Sequence, residues 1–559
     1  MTVCQRIGIV VAAVGWFATL GGLSVFCLPA TADSPGQADL DNAMRTKINA
    51  EGLPQLNETI DLLQAALDKG LSAEDADFAE RMMSDALMQR ASALVRVINT
   101  RSILDNRVQQ IYRLVVSDLR RVLAYDDPPP EASFLLGKLM ALPGGDPHES
   151  RRFLTAFLET ADLPPEQRAE ALVLRARVQT DEAKALTDFD EAIKLVPDNG
   201  NYRLVRAVFL RSHKKLDQAL AEVDAVLEQS PDDANALILQ GEIFRELGKN
   251  DVALESFDRA TEISPQAPSP YQHRGEIYRE QGEYDKSLAE FNKVLELQPG
   301  EMLTLVHRAE VYLRSGRFDE ALADVDAVLE KQPLVLAHRI RAEVLANMNR
   351  LQEAIDEMNS VSAAMPNDIE LKMQLALYYQ VDNKPRKAVE VYSEILDQDG
   401  ENVLVLRSRG DAYLAVGDHA AAVTDFEEAL QHLADDPALL NNLAWVLATS
   451  PDAEIRNGKR AVELATKACD LTDYNKPHIL STLAAAFAEN GDFETAIEWS
   501  QKAVDMDDSE QEEQLVKELA SYRGGQPWRE RQTVREKDES STKKGVSPRT
   551  DAPNQSLDF

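Results

Sequence analysis

Prolines stand at 197, 231, 265, 299, 333 and 366 of this 559-residue chain, at intervals of 34, 34, 34, 34 and 33 residues. A fixed period of that length constrains the fold more than any other feature here, because it marks one supersecondary unit copied along the chain. Small residues keep the same interval at Ala207, Gly241, Gly275, Ala309, Ala342, Ala376, Gly410 and Ala444. A second small series runs through Ala219, Ala253, Ser287, Ala321, Ala354, Ala388, Ala422, Ala461 and Ala496. Three residues after the first series comes a large apolar side chain: Leu210, Phe244, Tyr278, Tyr312, Leu345, Tyr379, Tyr413 or Leu447. Residues three apart share a helical face, so the small one lets a neighbouring helix approach and the large one fills the space beside it. Gly248, Gly282, Gly316 and Gly417 end the first helix of their units. The late proline cannot continue the second helix and sets the boundary. Each unit therefore reads as two helices joined by a short turn, and such a hairpin must stack on its neighbours to bury its apolar face.

With Gly/Ala, Tyr, Ala, Phe and Pro at these offsets, the sequence resembles the tetratricopeptide repeat family. Nine clear units start near 200, 234, 268, 302, 335, 369, 403, 437 and 477, and a worn tenth spans 166–199 with Phe189, Ala192 and Pro197. The resemblance covers residues 166–510. It implies an all-α, right-handed superhelical solenoid of about nine to ten helix-turn-helix repeats, whose first helices line a concave groove for protein ligands. The unit from 437 departs from the pattern by about five added residues within 441–458, which predicts a longer first helix or a protruding turn.

Around this array the chain divides further. Residues 1–32 have the parts of a secretory signal: Arg6, an apolar run over 7–28 and an Ala30-Thr31-Ala32 site, with cleavage expected after Ala32. A retained membrane anchor over 7–28 is the alternative, since 22 largely apolar residues are enough to span a bilayer. Residues 33–54 read as a linker. Residues 55–165 are helical in pattern without the repeat signature: Ile103, Leu104, Val108, Ile111, Tyr112, Val115, Leu119, Val122 and Leu123 trace one apolar stripe. This segment is expected to form degenerate helical hairpins that cap the N-terminal end. A C-terminal capping helix is expected over 511–522, carrying Leu515, Leu519 and Tyr522, followed by a polar, disordered tail over 523–559.

Charges sort by repeat position. Arg206, Arg274, Arg308, Arg341 and Arg409 stand just before the small residue, and sixteen residues later stand Glu222, Glu290, Asp324, Glu357 and Asp425. Where the first position is not Arg, the second is not acidic: Gln240 with Ser256, Leu375 with Val391, Leu483 with Trp499. The co-occurrence predicts ion pairs between the two helices of one unit, a role suited to arginine. A different position, one residue after the small series, holds Glu242, Glu276, Glu310, Glu343 and Asp411, interrupted by Val208, Leu377 and Trp445. The family resemblance implies that this position faces the groove. These acids are either a solvated face or a ladder that selects basic or polar segments, and Arg245 and Arg279 are placed to neutralise the glutamates of their own helices. Trp445, beside Asn441 and Asn442, is either a peptide anchor or packed under its unit's extra loop. The family's carboxylate clamp is absent, because the corresponding positions hold Ile238, Gln272, Val306 and the acids Glu242, Glu276 and Glu310.

Composition narrows the function. With 60 Lys+Arg against 95 Asp+Glu, the net charge is -35, which argues against a nucleic-acid partner that needs a basic face. Three cysteines, two of them within the first 27 residues, exclude a disulfide framework and a Cys-rich metal site. Cys469 falls in an Ala-rich helical setting and reads as a buried small apolar residue. Phosphate-loop, H-E-x-x-H and G-x-S-x-G motifs are absent. His273 and His307 share a repeat position but lack a third ligand, so no metal, cofactor, catalytic residue or small-molecule substrate is expected. The expectation is a non-catalytic protein–protein interaction scaffold of the periplasm or cell envelope, touching a membrane only if the N-terminal segment is uncleaved. The alternative is the recognition or adaptor subunit of an envelope enzyme complex, such as a glycosyltransferase or peptidase machine.

Overall fold

The structure, a computed structural model, describes residues 34–50, 52–98, 106–506 and 512–530. The expected signal segment at 1–32 and the greater part of the expected tail, 531–559, lie outside the described residues, as do Ile103 and Leu104. Among the described residues the chain forms helices and no strand. None of these helices is long and apolar enough to cross a membrane. Two compact units divide between Ile243 and Phe244.

The first unit opens with α1 (Gln37–Ile48), α2 (Leu53–Lys69), α3 (Ala73–Ile98), α4 (Asn106–Val122), α5 (Pro130–Met140) and α6 (Pro147–Leu158). α1 lies where a linker over 33–54 was expected. Its Leu40 and Ala43 are buried in the same apolar cluster as α2, so the segment belongs to the fold. Pro130 and Pro147 each take the first helical position, where a missing N–H costs nothing. The stripe on α4 is buried at Val108, Val115, Leu119 and Val122. Three further helices of paired hairpins follow, α7 (Pro165–Arg177), α8 (Glu182–Leu195) and α9 (Gly200–Ser212), then α10 (Leu216–Gln229) and the start of α11 (Ala234–Glu246).

In the second unit the pairing continues regularly. After α12 (Asn250–Ile263) come α13 (Pro268–Glu280) with α14 (Tyr284–Leu297), α15 (Met302–Arg314) with α16 (Phe318–Leu329), and α17 (Val335–Asn347) with α18 (Leu351–Ala364). These lead to α19 (Ile369–Val381) with α20 (Pro385–Leu396), α21 (Val403–Val416) with α22 (His419–His432), α23 (Pro437–Thr449) with α24 (Gly458–Leu471), and α25 (Pro477–Glu489) with α26 (Phe493–Met506). The last helix, α27 (Glu512–Arg523), runs one residue later than the expected 511–522. First helices start where the sequence period places them, at 200, 234, 268, 302, 335, 369, 403, 437 and 477.

The small series does more than let backbones approach. Phe291 and Phe426 on second helices are fully buried, and a Cβ added at Gly275 or Gly410 would come within 2.7 or 2.5 Å of the respective ring. Where the residue sixteen on is Val223, Val325 or Met358, the small residue is alanine: Ala207, Ala309 or Ala342. Turns between the two helices need left-handed backbone, supplied by glycine in several units (Gly417 at φ 97°) but by Lys214 and Asn383 in others. In the unit from 437, α23 keeps the ordinary 13 residues, so the insertion lies entirely in the turn. Residues 451–454 are exposed, while Arg456 fastens the base of the loop to Glu489 (2.9 Å) and to the Ser450 carbonyl (2.8 Å).

Candidate functional site

The arginines before the small series are tied down. Arg308 donates from Nε and Nη2 to the two carboxylate oxygens of Asp324 (2.8 and 2.7 Å), and Arg409 binds Asp425 with the same fork and distances. Arg274 grips Glu290 at 2.6–3.1 Å, Arg341 binds Glu357 at 2.6 Å, and Arg206 bonds Glu222. Each guanidinium also reaches back to the second helix of the preceding hairpin. Arg308 takes Asn292 (2.7 Å), Arg341 takes Asp326 (2.8 Å) and Arg409 takes the Ser393 hydroxyl (3.1 Å), while Arg274 reaches Asp258 and Arg206 reaches Asp190. One arginine thus links three helices and two units. Asp425 is only 3% exposed, so removing its arginine would strand a buried carboxylate, at a cost of about 3–5 kcal/mol. These residues hold units together and leave no basic surface for a ligand.

The acids one residue after the small series are not a uniform ladder. Glu242 pairs with Arg211, Glu276 with Arg245 and Glu310 with Arg279, each arginine coming from the first helix one unit earlier. Arg279 was expected to neutralise Glu276 of its own helix, but its guanidinium reaches forward to Glu310. Residues three apart on a helix lean the same way, and the next unit's helix packs closer to the tip of a long side chain. Burial opposes the charge on Glu276, yet the nearby His273 imidazole, the hydrogen bond from Gln272 (3.1 Å) and the Arg245 charge outweigh it and bring its pKa down to about 2. Glu343 differs from the others: it is exposed, with no ion pair among the described residues. Asp411 is half-buried and accepts a hydrogen bond from Asn442 Nδ2 (2.9 Å). Burial lifts its pKa to about 6 against the opposing effects of Arg407 and of that bond.

Where the acidic series is interrupted, the surface turns apolar. Leu377 is 52% exposed and Val381, one turn on along α19, is 64% exposed. Both line an open depression of about 520 Å³ together with Asn347, Gln352 and Tyr378. Exposed Glu343 and Asn347 stand at the matching positions of α17. This is an apolar spot with amide and acidic neighbours, of the kind that seats an aliphatic side chain and orients its flanks.

Trp445 is half-buried against the apolar core of its unit. Its Nε1 donates to the Glu530 carboxylate (3.1 Å), so residues following α27 lie against it. That ordered stretch, 524–530, falls where the sequence predicted disorder from 523. Its polar composition hid the backbone and side-chain hydrogen bonds that fix it. Asn442 is spent on Asp411, and Asn441 donates weakly to Asn442 (3.4 Å) while its own buried carbonyl oxygen has no partner among the described residues. His273 and His307 stack on Phe257 and Phe291 and approach Glu276 at 3.7 and 4.0 Å. Among the described residues no group of three or more His, Cys, Asp or Glu side chains is arranged to hold a metal ion. Cys469 is buried, which pushes its thiol pKa up to about 12.

Models of the tetratricopeptide repeat match residues 170–234, 210–268, 268–301, 307–368, 373–438 and 407–476, together more than half of the chain. The chain belongs to the tetratricopeptide repeat family. Among curated proteins it is similar to DnaJ homolog subfamily C member 3, with 31% identity to the Bos taurus protein and 30% to the Homo sapiens protein over 106 residues, 18% of this chain in each case. The match spans about a fifth (21%) of the length of those relatives. Among solved structures, a tetratricopeptide repeat protein from Parabacteroides merdae aligns at 21% identity and a TM-score of 0.37, covering 44% of this chain and 98% of that one. YrrB, described as a TPR protein with an unusual peptide-binding site, aligns at 18% identity and a TM-score of 0.28, covering 34% of this chain and 97% of its own.

Within this tetratricopeptide array two features escaped sequence reasoning, though each left a trace. The backward reach of the arginines is foreshadowed by Asp190, Asp258 and Asn292, which stand sixteen residues before Arg206, Arg274 and Arg308. Leu377 was visible as an apolar residue at a position otherwise acidic, but only the fold brings Val381 and the ends of α17 and α18 around it.

Proposed function

We propose that this protein is a non-catalytic scaffold that binds other proteins along the first helices of its tetratricopeptide units. The depression around Leu377 and Val381 carries this reading. Leu377, at the family's ligand-facing position, and Val381, one turn on, are both more than half exposed and give a partner apolar surface to bury. Covering the exposed part of each is worth about 1–2 kcal/mol. Glu343 beside them, on a chain of net charge -35, favours a segment whose apolar anchor is flanked by basic or polar residues. The apolar run at 7–28 and the Ala30-Thr31-Ala32 site support export to the periplasm or cell envelope, with residues 1–32 removed.

Capture of partners from an envelope extract by the intact chain, compared with a Leu377→Asp/Val381→Asp variant, tests this. Both residues are exposed, so the variant is expected to keep its thermal midpoint while losing its principal partner at least tenfold. An unchanged set of partners at unchanged amounts would contradict the reading.

A further inference from the structure

The segment after α27 behaves as a ligand would. Gly524 and Gly525, the latter with φ +67°, turn the chain, and Gln526 exchanges hydrogen bonds with Ser521 (its N–H to the Ser521 carbonyl at 3.0 Å, the Ser521 hydroxyl to its carbonyl at 2.9 Å). Trp528 then packs against the apolar cluster that also holds Trp445. The Arg529 guanidinium donates to the Ala448 carbonyl (3.2 Å) and to Glu489 (2.5 Å). The Glu530 N–H donates to the Thr449 carbonyl (3.0 Å), and its carboxylate takes the Trp445 indole N–H.

Ala448 and Thr449 close α23, where carbonyls have no partner within the helix. The segment supplies those partners from main chain and side chain together, as a bound peptide does. It contributes one aromatic, one basic and one acidic residue in succession, each with its own receptor group: the apolar cluster, Glu489 and Trp445. Glu489 is also held by Arg456 (2.9 Å) from the inserted turn, so the five or so extra residues of this unit position the receptor carboxylate.

We infer that residues 526–530 are a tethered ligand, and that the surface they cover is a second peptide site, selective for an extended aromatic–arginine–acid segment of a partner protein. The inference rests on the reading of the array as a segment binder and adds a regulated site at its C-terminal end. A ligand joined to its site by a linker of a few residues acts at an effective concentration in the millimolar range. A partner of equal intrinsic affinity is therefore excluded until the tail is displaced or outcompeted. The Gly524-Gly525 pair gives the tail the swivel that displacement needs.

The test uses the full chain and a fluorescein-labelled peptide of sequence Gly-Gln-Pro-Trp-Arg-Glu, read by anisotropy. An Arg529→Ala/Glu530→Ala variant is expected to bind this peptide at least tenfold more tightly than the unaltered chain, and a peptide with alanine for its arginine is expected to bind neither. Should the double variant melt early, Glu530→Ala alone is read, with an expected gain of about threefold. Equal binding to the unaltered and opened chains would overturn the gating. No binding to a fully folded opened chain would show a fixed clasp and overturn the site. Neither result touches the Leu377–Val381 surface, whose own test uses different residues.

Discussion

Two carboxylates at one repeat position respond to pH in opposite directions. Glu276 ionises at about pH 2, below its ordinary range, because His273, Gln272 and Arg245 outweigh the effect of burial. Its charge therefore stabilises the fold above the unfolded pKa of about 4.3, and that contribution is lost as the pH falls toward 2. Asp411 is the reverse case. Burial raises its pKa to about 6, so between about pH 4 and 6 the native state holds a proton that the unfolded chain has released. Stability from this group is greatest below about pH 4, falls as pH rises through that window, and is at its minimum above 6. Asp411→Asn keeps an oxygen to accept from Asn442 and removes the buried charge. The substitution is expected to raise the thermal midpoint at pH 7.5 and to leave it nearly unchanged at pH 4, measured by calorimetry. A lower midpoint at pH 7.5 would show that the carboxylate's contacts outweigh its burial.

At the scale of the hairpin, glycine in the first helix faces phenylalanine of the second at Gly275 and Gly410. Gly410 leaves room for the Phe426 ring, and an alanine Cβ would sit 2.5 Å from it in a core without slack. Gly410→Ala is expected to destabilise the protein by about 1–3 kcal/mol despite alanine's better helix propensity. Gly410→Ala/Phe426→Leu should recover most of that loss, which chemical denaturation of both variants would reveal. Hairpins of this kind were legible in the sequence because the units repeat the same small and large positions, and five of the nine also carry the closing proline. The same redundancy exposed the arginine–acid pairs at a spacing of sixteen. It failed where the spacing changes: Arg90 forks onto Asp118 (2.8 and 2.7 Å) in a hairpin that lacks the signature, and Arg175 onto Asp188 (2.8 and 2.7 Å) in the worn tenth unit, at separations of 28 and 13. α1 was missed because two buried residues in a short polar helix make a weak periodic signal.

Over the whole molecule, the repeat spreads its bonding evenly, and what distinguishes one stretch from another is where the pattern is broken. Val208, Leu377 and Trp445 break the acidic series; Leu377 opens an apolar depression and Trp445 receives a segment from beyond α27. Neither outcome could be read from spacing, because one depends on side chains of three helices meeting and the other on a segment 85 residues away. Such local departures are where a stacked array of like units can distinguish one ligand from another. Partners are proposed to dock on α19. Site-specific photocrosslinking in cells tests this most directly, with a benzophenone amino acid placed at Leu377 and, as a control, at exposed Val252 on the second helix α12. The scaffold function predicts discrete crosslinked adducts from position 377 and none from 252. Adducts that are absent at 377, or identical at the two positions, would contradict it.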